Sequence, residues 1–268
     1  MVNNTSGFQA AGLVNKTRDF TGGVQLAGVA NIVGRANGVL HAAGLLNMYD
    51  EANGVAIAGF ANIGRKRGGV QIAGIFNKTG GTSVIQLSGF MNIAKKVKGF
   101  QLGLVNVADS SDYAIGILNF IKNGEKSIAI STDETMFTQV NFRSGGRVLY
   151  SILGAGYKFG STDIRYQLNL GIGAHLVDHQ IFYFNTELTT SLMTDFKENH
   201  YQMDSFKALP GMKFNRHVRL FVGPSLNIAS AGSGTAMPAT GWVIQTYHSD
   251  TDFSRLSIGF SGGLQYAW

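Results

Sequence analysis

Ser191, Glu187 and either His175 or His200 supply the residue types of a serine hydrolase: a hydroxyl nucleophile, an imidazole base and a carboxylate to orient it. No motif around them fixes their mutual geometry. His175 and His179 stand four residues apart, which pairs metal ligands on one face of a helix. The alternation around them indicates a strand, where such a pair is well separated, so no metal site is expected. Gly232-Ser233-Gly234-Thr235 is glycine-rich but lacks the lysine of a phosphate loop and reads as a loop. Asn15-Lys16-Thr17 and Asn77-Lys78-Thr79 match the glycosylation acceptor pattern, a short match that by itself assigns no chemistry. The chain has no cysteine, which removes disulfides, thiolate metal sites and cysteine nucleophiles. No catalytic residue, cofactor or metal is expected.

The elements that would hold any such chemistry are dominated by a repeat. Gly12, Gly28, Gly44, Gly59, Gly74, Gly89, Gly103 and Gly116 are each followed three residues later by an asparagine. The asparagines are Asn15, Asn31, Asn47, Asn62, Asn77, Asn92, Asn106 and Asn119, and the step between units falls from 16 residues to 13. A copy such as Gly69-Val70-Gln71-Ile72-Ala73-Gly74-Ile75-Phe76-Asn77 has one short apolar, β-branched run between polar connectors, which predicts a strand and a turn per unit. An antiparallel meander puts successive turns at opposite ends of a sheet. One recurring spacing therefore favours a coil with about one turn per repeat, its asparagines stacked in an amide ladder. In such a strand Val24, Leu26 and Gly28 share one face, and Gln25, Ala27, Val29 and Asn31 the other. Gln9, Gln25, Gln71, Gln86 and Gln101 form a second ladder, interrupted by His41 and Ala56. The shortening step predicts a coil that narrows toward its end. Met1-Val2-Asn3 reads as the tail of a unit with no signal peptide before it, so a truncated start is expected.

Charge collects in the connectors, at Arg65-Lys66-Arg67 and Lys95-Lys96-Val97-Lys98, where solvated turns are the simplest reading. No interleaved aromatic motif accompanies them, so no nucleic-acid partner is expected. Thirty-six glycines, three prolines and 14% charged residues describe a β-rich chain, and no apolar run approaches a membrane helix.

After about Gly124 longer alternating segments begin. Leu256, Ile258, Phe260, Leu264, Tyr266 and Trp268 oppose Ser257, Gly259, Ser261, Gln265 and Ala267. Candidate strands cover 136–143, 147–158, 163–176, 180–192, 203–214, 217–229, 241–248 and 255–267, with 127–132 a ninth strand or a connector. The runs are long enough for tilted membrane strands, with apolar faces ending in aromatics and opposite faces carrying amides and charges. Eight strands close a small barrel filled by side chains. Arg165, Glu187, Asp204, Lys207 and Arg219 all lie on candidate strands, and some of them are expected to point inward and to pair across the lumen. The chain stops on an aromatic at the end of an amphipathic strand, as bacterial outer-membrane barrels do, which makes Leu264, Tyr266 and Trp268 the expected barrel-assembly signal.

With both halves in view, the sequence resembles the Leptospira-type surface-repeat proteins, also abundant in Bacteroidetes. The resemblance rests on the Gly-Val-Gln-Leu-Ala-Gly-Val-Ala-Asn copies, on the junction Val97 to Asp109, on Gly116 to Gly124 and on Ser131-Thr132-Asp133-Glu134. It implies export to an outer-membrane or surface location and no enzymatic activity. The expectation is an all-β chain: a repeat β-solenoid over residues 1–125, then an antiparallel, about eight-stranded outer-membrane β-barrel over 126–268. Its expected partners are outer-membrane lipid, the barrel-assembly machinery and a surface or periplasmic protein or glycan. Two alternatives stand beside this: a lipid-modifying hydrolase of the envelope, and a single larger channel-forming barrel built from repeats and strands together.

Overall fold

A computed structural model describes every residue except 1, 162–163, 198, 233–240 and 249–251. The described residues are all-β and divide into two units, Met1–Gly124 with Gly145–Arg147, and Glu125–Ser144 with Val148–Trp268.

Unit 1 contains β1 (Val2–Ala11), β2 (Val14–Ala27), β3 (Ala30–Asn37), β4 (Leu40–Ala43), β5 (Leu46–Ala58), β6 (Ala61–Ala73), β7 (Phe76–Ser88), β8 (Met91–Leu102), β9 (Val105–Ile115) and β10 (Leu118–Ile121). Every pairing among them is parallel and joins equivalent repeat positions: Asn47 pairs with Asn62, Asn62 with Asn77, and Gln71 with Gln86. The stacking is solenoid-like, one repeat per layer. Each layer bends at the Gly-x pair between strands, and again inside the strand, where the register slips beside Arg65-Lys66-Arg67. β7, β8 and β9 shorten from 13 to 12 to 11 residues as the repeat step falls.

Parallel neighbours rule these strands out of a single up-and-down barrel, whose neighbours are antiparallel. The interior of the stack holds Asn, Gln, Ala, Ser and Thr, while most of the larger aliphatic side chains face out. Alternation breaks at the first bend. Gln25, Ala27 and Asn31 point inward as expected, but Val29 turns toward the surface.

Unit 2 contains β11 (Lys126–Asp133), β12 (Thr138–Gly145), β13 (Leu149–Tyr157), β14 (Tyr166–Asp178), β15 (Phe182–Thr194), β16 (His200–Lys213), β17 (Val218–Gly232), β18 (Trp242–His248) and β19 (Asp252–Ala267). Antiparallel neighbours run from β11 through β17 to β19, and β19 returns to β11, closing an eight-stranded barrel. Membership differs from the sequence reading in one exchange. The segment 127–132 is a full member, and 241–248 is not. β11 meets only the far half of β19, up to Ser261; β18 pairs with the near half, Phe253 to Ile258, and has no other partner among the described residues. Pairing on both edges of β19, not amphipathicity, decides this, and amphipathicity is what the sequence displays.

Polarity is inverted. Leu168, Leu170 and Ile172 are exposed, while Gln167 and Asn169 between them are buried. Two apolar layers bracket a polar middle inside the barrel. Met193, Tyr201, Met203 and Ala229 form one, and Tyr183, Leu209 and Phe221 the other. Along β15, Asn185, Glu187, Thr189 and Ser191 fall between them. Gly173 and Gly211 leave room for two internal rings, since a Cβ there would strike Tyr150 and Tyr183 respectively.

Candidate functional site

The repeat residues form a continuous amide spine. Each asparagine donates one Nδ2 hydrogen to the Oδ1 of the next: Asn15 to Asn31, Asn31 to Asn47 and Asn47 to Asn62 at 2.9 Å, and Asn62 to Asn77, Asn77 to Asn92 and Asn92 to Asn106 at 3.0 Å. Asn106 to Asn119 closes the series at 2.8 Å. The same nitrogens donate to a backbone carbonyl across the bend, as Asn62 does to Ile72 at 2.8 Å and Asn77 to Leu87 at 2.7 Å. Buried amides such as these need both donors and the acceptor used. Aspartate would supply no donor, and glutamine is one methylene too long for the crossing bond.

The glycines mark the other half of this arrangement. A Cβ on Gly28, Gly44, Gly59 or Gly74 would overlap the carbonyl oxygen of the preceding glycine in the ladder. At Gly89 it would come to 2.5 Å of the Gly74 oxygen, and Gly116 is blocked by Gly103. Gly103 is closed instead by the Asn92 amide at 2.7 Å, and Gly12, on the outermost layer, meets nothing within 4 Å. Close backbone approach, not a left-handed conformation, therefore selects glycine at these bends.

The glutamine ladder survives its two interruptions. Gln25 donates to Gln9 at 2.8 Å, Gln86 to Gln71 at 2.7 Å, and Gln101 to Gln86 at 2.8 Å. At the Ala56 layer the Tyr49 ring fills the space, in a cluster with Phe20, Val33 and Ala36, and accepts a 2.7 Å bond from Gln71. At the next interruption His41 Nδ1 lies 3.1 Å from Gln25 Oε1, which can only accept, so Nδ1 carries the hydrogen. His41 Nε2 is buried with no partner.

Burial holds the His41 pKa down at about 4, from an ordinary 6.5. The folded state thus binds fewer protons than the unfolded chain. The stability contributed by the neutral ring is complete above about pH 6.5 and is lost as pH falls toward about 4. A His41→Gln variant, which continues the ladder, is expected to lose less stability over that window, by up to about 3 kcal/mol. Urea unfolding at pH 7.5 and pH 4 would check this; an equal pH dependence in both proteins would refute it.

In unit 2, strand polarity brings charges into contact that sequence spacing does not. Arg143 meets Glu187 at 2.7 and 3.3 Å with both side chains buried, and Tyr150 donates to the same carboxylate at 2.9 Å. Glu125 lies 3.3 Å from Arg219, 3.5 Å from His175, and accepts from Gln265 at 2.7 Å. Of the five charges on candidate strands, some of which are expected inside, Glu187, Lys207 and Arg219 point inward. Asp204 faces outward, bonded by Thr190 and Gln202, and Arg165 precedes β14. The expectation missed Arg143 and Glu125. Arg143 was accessible to it, since Gln139, Asn141 and Arg143 alternate with Val140 and Phe142. Glu125 precedes its strand and carries no such signal.

The hydrolase residues are not assembled. Ser191 donates to Asn169 at 2.9 Å, Glu187 is held by Arg143 and Tyr150, and His175 faces Asn185 at 2.8 Å and Glu125. His200 is exposed at the start of β16. Ser233, Gly234 and Thr235 lie outside the described residues. His179 sits in the turn after β14, its backbone N–H bonded to Phe182 at 2.8 Å. Leu264, Tyr266 and Trp268 project outward from β19; Trp268 stacks with Phe142 and lies beside Tyr266, both at 6.4 Å between ring centres.

On unit 1 an open groove of about 560 Å³ is lined by the apolar Ile32, Met48 and Ile63 and by the charged Lys16, Arg18, Asp50 and Arg65, among others. No family model matches the chain, and neither a curated protein nor a solved structure does.

Proposed function

We propose that this is a non-catalytic outer-membrane protein, with an N-terminal β-solenoid over residues 1–125 and a C-terminal transmembrane barrel over 126–268. The observation that carries the reading is the inverted polarity of unit 2. Its outward residues are mostly leucine, isoleucine, valine and aromatics, and its inward ones are amides, hydroxyls and paired charges between two apolar layers. Water outside would leave the apolar band exposed, whereas acyl chains satisfy it.

Aromatic clusters mark both ends of the band. Tyr157, Phe159, Tyr166 and Phe196 gather at one end, and Phe142, Tyr266 and Trp268 at the other. Strand register separates the two ends by the length of β17 between Val218 and Ala231. For strands tilted by about 40° this is about 30 Å along the axis, close to an apolar band with its two girdles.

The non-catalytic role is supported by the separate engagements of Ser191, His175 and Glu187. The repeats supply a regular surface suited to a spacer or to a protein or glycan ligand, and the terminal Leu264, Tyr266 and Trp268 suit recognition by the barrel-assembly machinery. Membrane fractionation is the test. The protein is expected to stay with outer membranes through a urea wash and to be released only by detergent. A monomer that remains soluble and folded without detergent would overturn the reading.

A further inference from the structure

Unit 1 has its own inverted surface. Its interior is mainly amide and small side chains, so most of its larger aliphatic residues face out. Leu45, Phe60, Ile75, Phe90, Leu104 and Ile117, each following a ladder glycine, are 43–55% exposed. They stack directly, with Phe60 N–H bonded to the Leu45 carbonyl at 3.0 Å and Ile75 N–H to Phe60 at 3.1 Å. Eight layers at about 4.8 Å give a convex edge of about 35 Å.

Behind that edge most outward positions on both faces are also apolar, Val70 and Ile72 on one side and Ile32, Met48 and Ile63 on the other, where Lys16 and Lys78 stand in the same row. The opposite edge holds the charges. Arg35 pairs with Asp19 at 2.6 Å, Arg65 with Asp50 at 3.4 Å and Lys66 with Glu51 at 3.8 Å, each between adjacent layers. Cations dominate there, since residues 1–124 and 145–147 hold twelve Lys and Arg against five Asp and Glu.

We infer that the repeat unit itself sits in lipid, its glycine-bend edge immersed in the acyl region of one leaflet and its charged edge at the headgroups. Three observations select lipid over a protein partner. Apolar residues run along the convex edge and onto both flanks, and contiguous apolar patches beyond roughly a few hundred Å² mark interaction or membrane surfaces. A protein or second copy docking on one flank leaves the other bare, while acyl chains cover both. The five-residue arm from Gly69 to Ala73 spans about 17 Å, which matches half of a hydrocarbon core of about 30 Å and not all of it. Finally, the groove lined by Ile32, Met48 and Ile63 also holds Lys16, Arg18 and Arg65 against the one carboxylate of Asp50, a net cationic lining that complements an anionic amphiphile. The inference rests on the reading that the chain resides in a membrane, but not on which unit anchors it.

The absence of cysteine makes single-site labelling clean. Ile75→Cys and Phe90→Cys report the bend edge, Lys66→Cys and Lys96→Cys the charged edge, and Leu170→Cys the barrel. Each full-length variant carries an environment-sensitive fluorophore and is reconstituted into vesicles with acyl chains brominated in the middle. Quenching at Ile75 and Phe90 by about half, as at Leu170, with less than about a tenth at Lys66 and Lys96, is the expected result. Quenching at Leu170 with none at Ile75 or Phe90 overturns the inference and leaves the barrel reading intact; no quenching anywhere overturns both. Pyrene excimer emission from Ile75→Cys in dilute vesicles would show a second copy on the edge and would also overturn it. Two labels per edge keep the result readable if one variant fails to fold.

Discussion

Gly74→Ala is expected to destabilise the repeat unit by about 3 kcal/mol, a large effect for one methyl group. The added Cβ would overlap the Gly59 carbonyl oxygen, and no side-chain rotation relieves this because the obstructing atom is backbone. The layers would have to separate locally. That stretches the bends, where Ile75 N–H reaches the Phe60 carbonyl at 3.1 Å, and the neighbouring amide bond from Asn62 to Asn77 at 3.0 Å. Gly12→Ala is the internal control, because a Cβ there meets nothing within 4 Å. Its expected change is within about 0.5 kcal/mol. Urea unfolding of both variants, followed by far-ultraviolet circular dichroism, decides the matter. Equal midpoints for the two would show that close approach does not select glycine at the bends.

Glu187→Leu is expected to cost about 4 kcal/mol, because it leaves Arg143 buried without its counter-charge. The pair is desolvated on both sides, with side-chain exposures of 4% and 3%. Tyr150 would lose the acceptor of its 2.9 Å bond as well. The remaining neighbours of Arg143 compensate only in part: the Glu125 carboxylate still attracts it, but its Nη1 has no hydrogen-bond partner and the Phe221 ring lies 5.1 Å away. The double variant Arg143→Met, Glu187→Leu removes both charges and is expected to recover most of the loss. Unfolding in detergent micelles would measure all three proteins. A double variant as unstable as Glu187→Leu alone would mean that packing, not the stranded charge, sets the penalty.

These two positions also show how unevenly the molecule can be read from its sequence. The ladder glycines and asparagines are visible as a count, because stacking one layer on the next demands the same residue at the same place every time. The outward aliphatics and inward amides of β14 and β19 are visible for a similar reason: a strand alternates faces, and a membrane strand reverses which face is apolar. The His41 and Ala56 interruptions are visible too, but not their repair. Tyr49 belongs to the same strand as Ala56 and packs in one cluster with it, and only packing reveals that its hydroxyl replaces the missing amide. The strand 241–248 was legible as amphipathic, yet its place on β19 depends on where β11 stops pairing.

What the sequence determined by itself is therefore whatever repeats or alternates: the amide spine from Asn15 to Asn119, the glycine bends, the segregation of charge to one connector, and the polarity of the long strands. Each follows from a local rule that acts on every unit or every second residue. The tertiary structure alone decided which distant residues meet. Arg143 and Glu187 stand 44 positions apart, and Glu125 and Gln265 stand 140 apart. Their partnership comes from closing the barrel, which sets their heights along the axis by strand register and brings inward side chains from non-neighbouring strands into one narrow lumen. Closure is a property of all eight strands together, so no single stretch of sequence contains it.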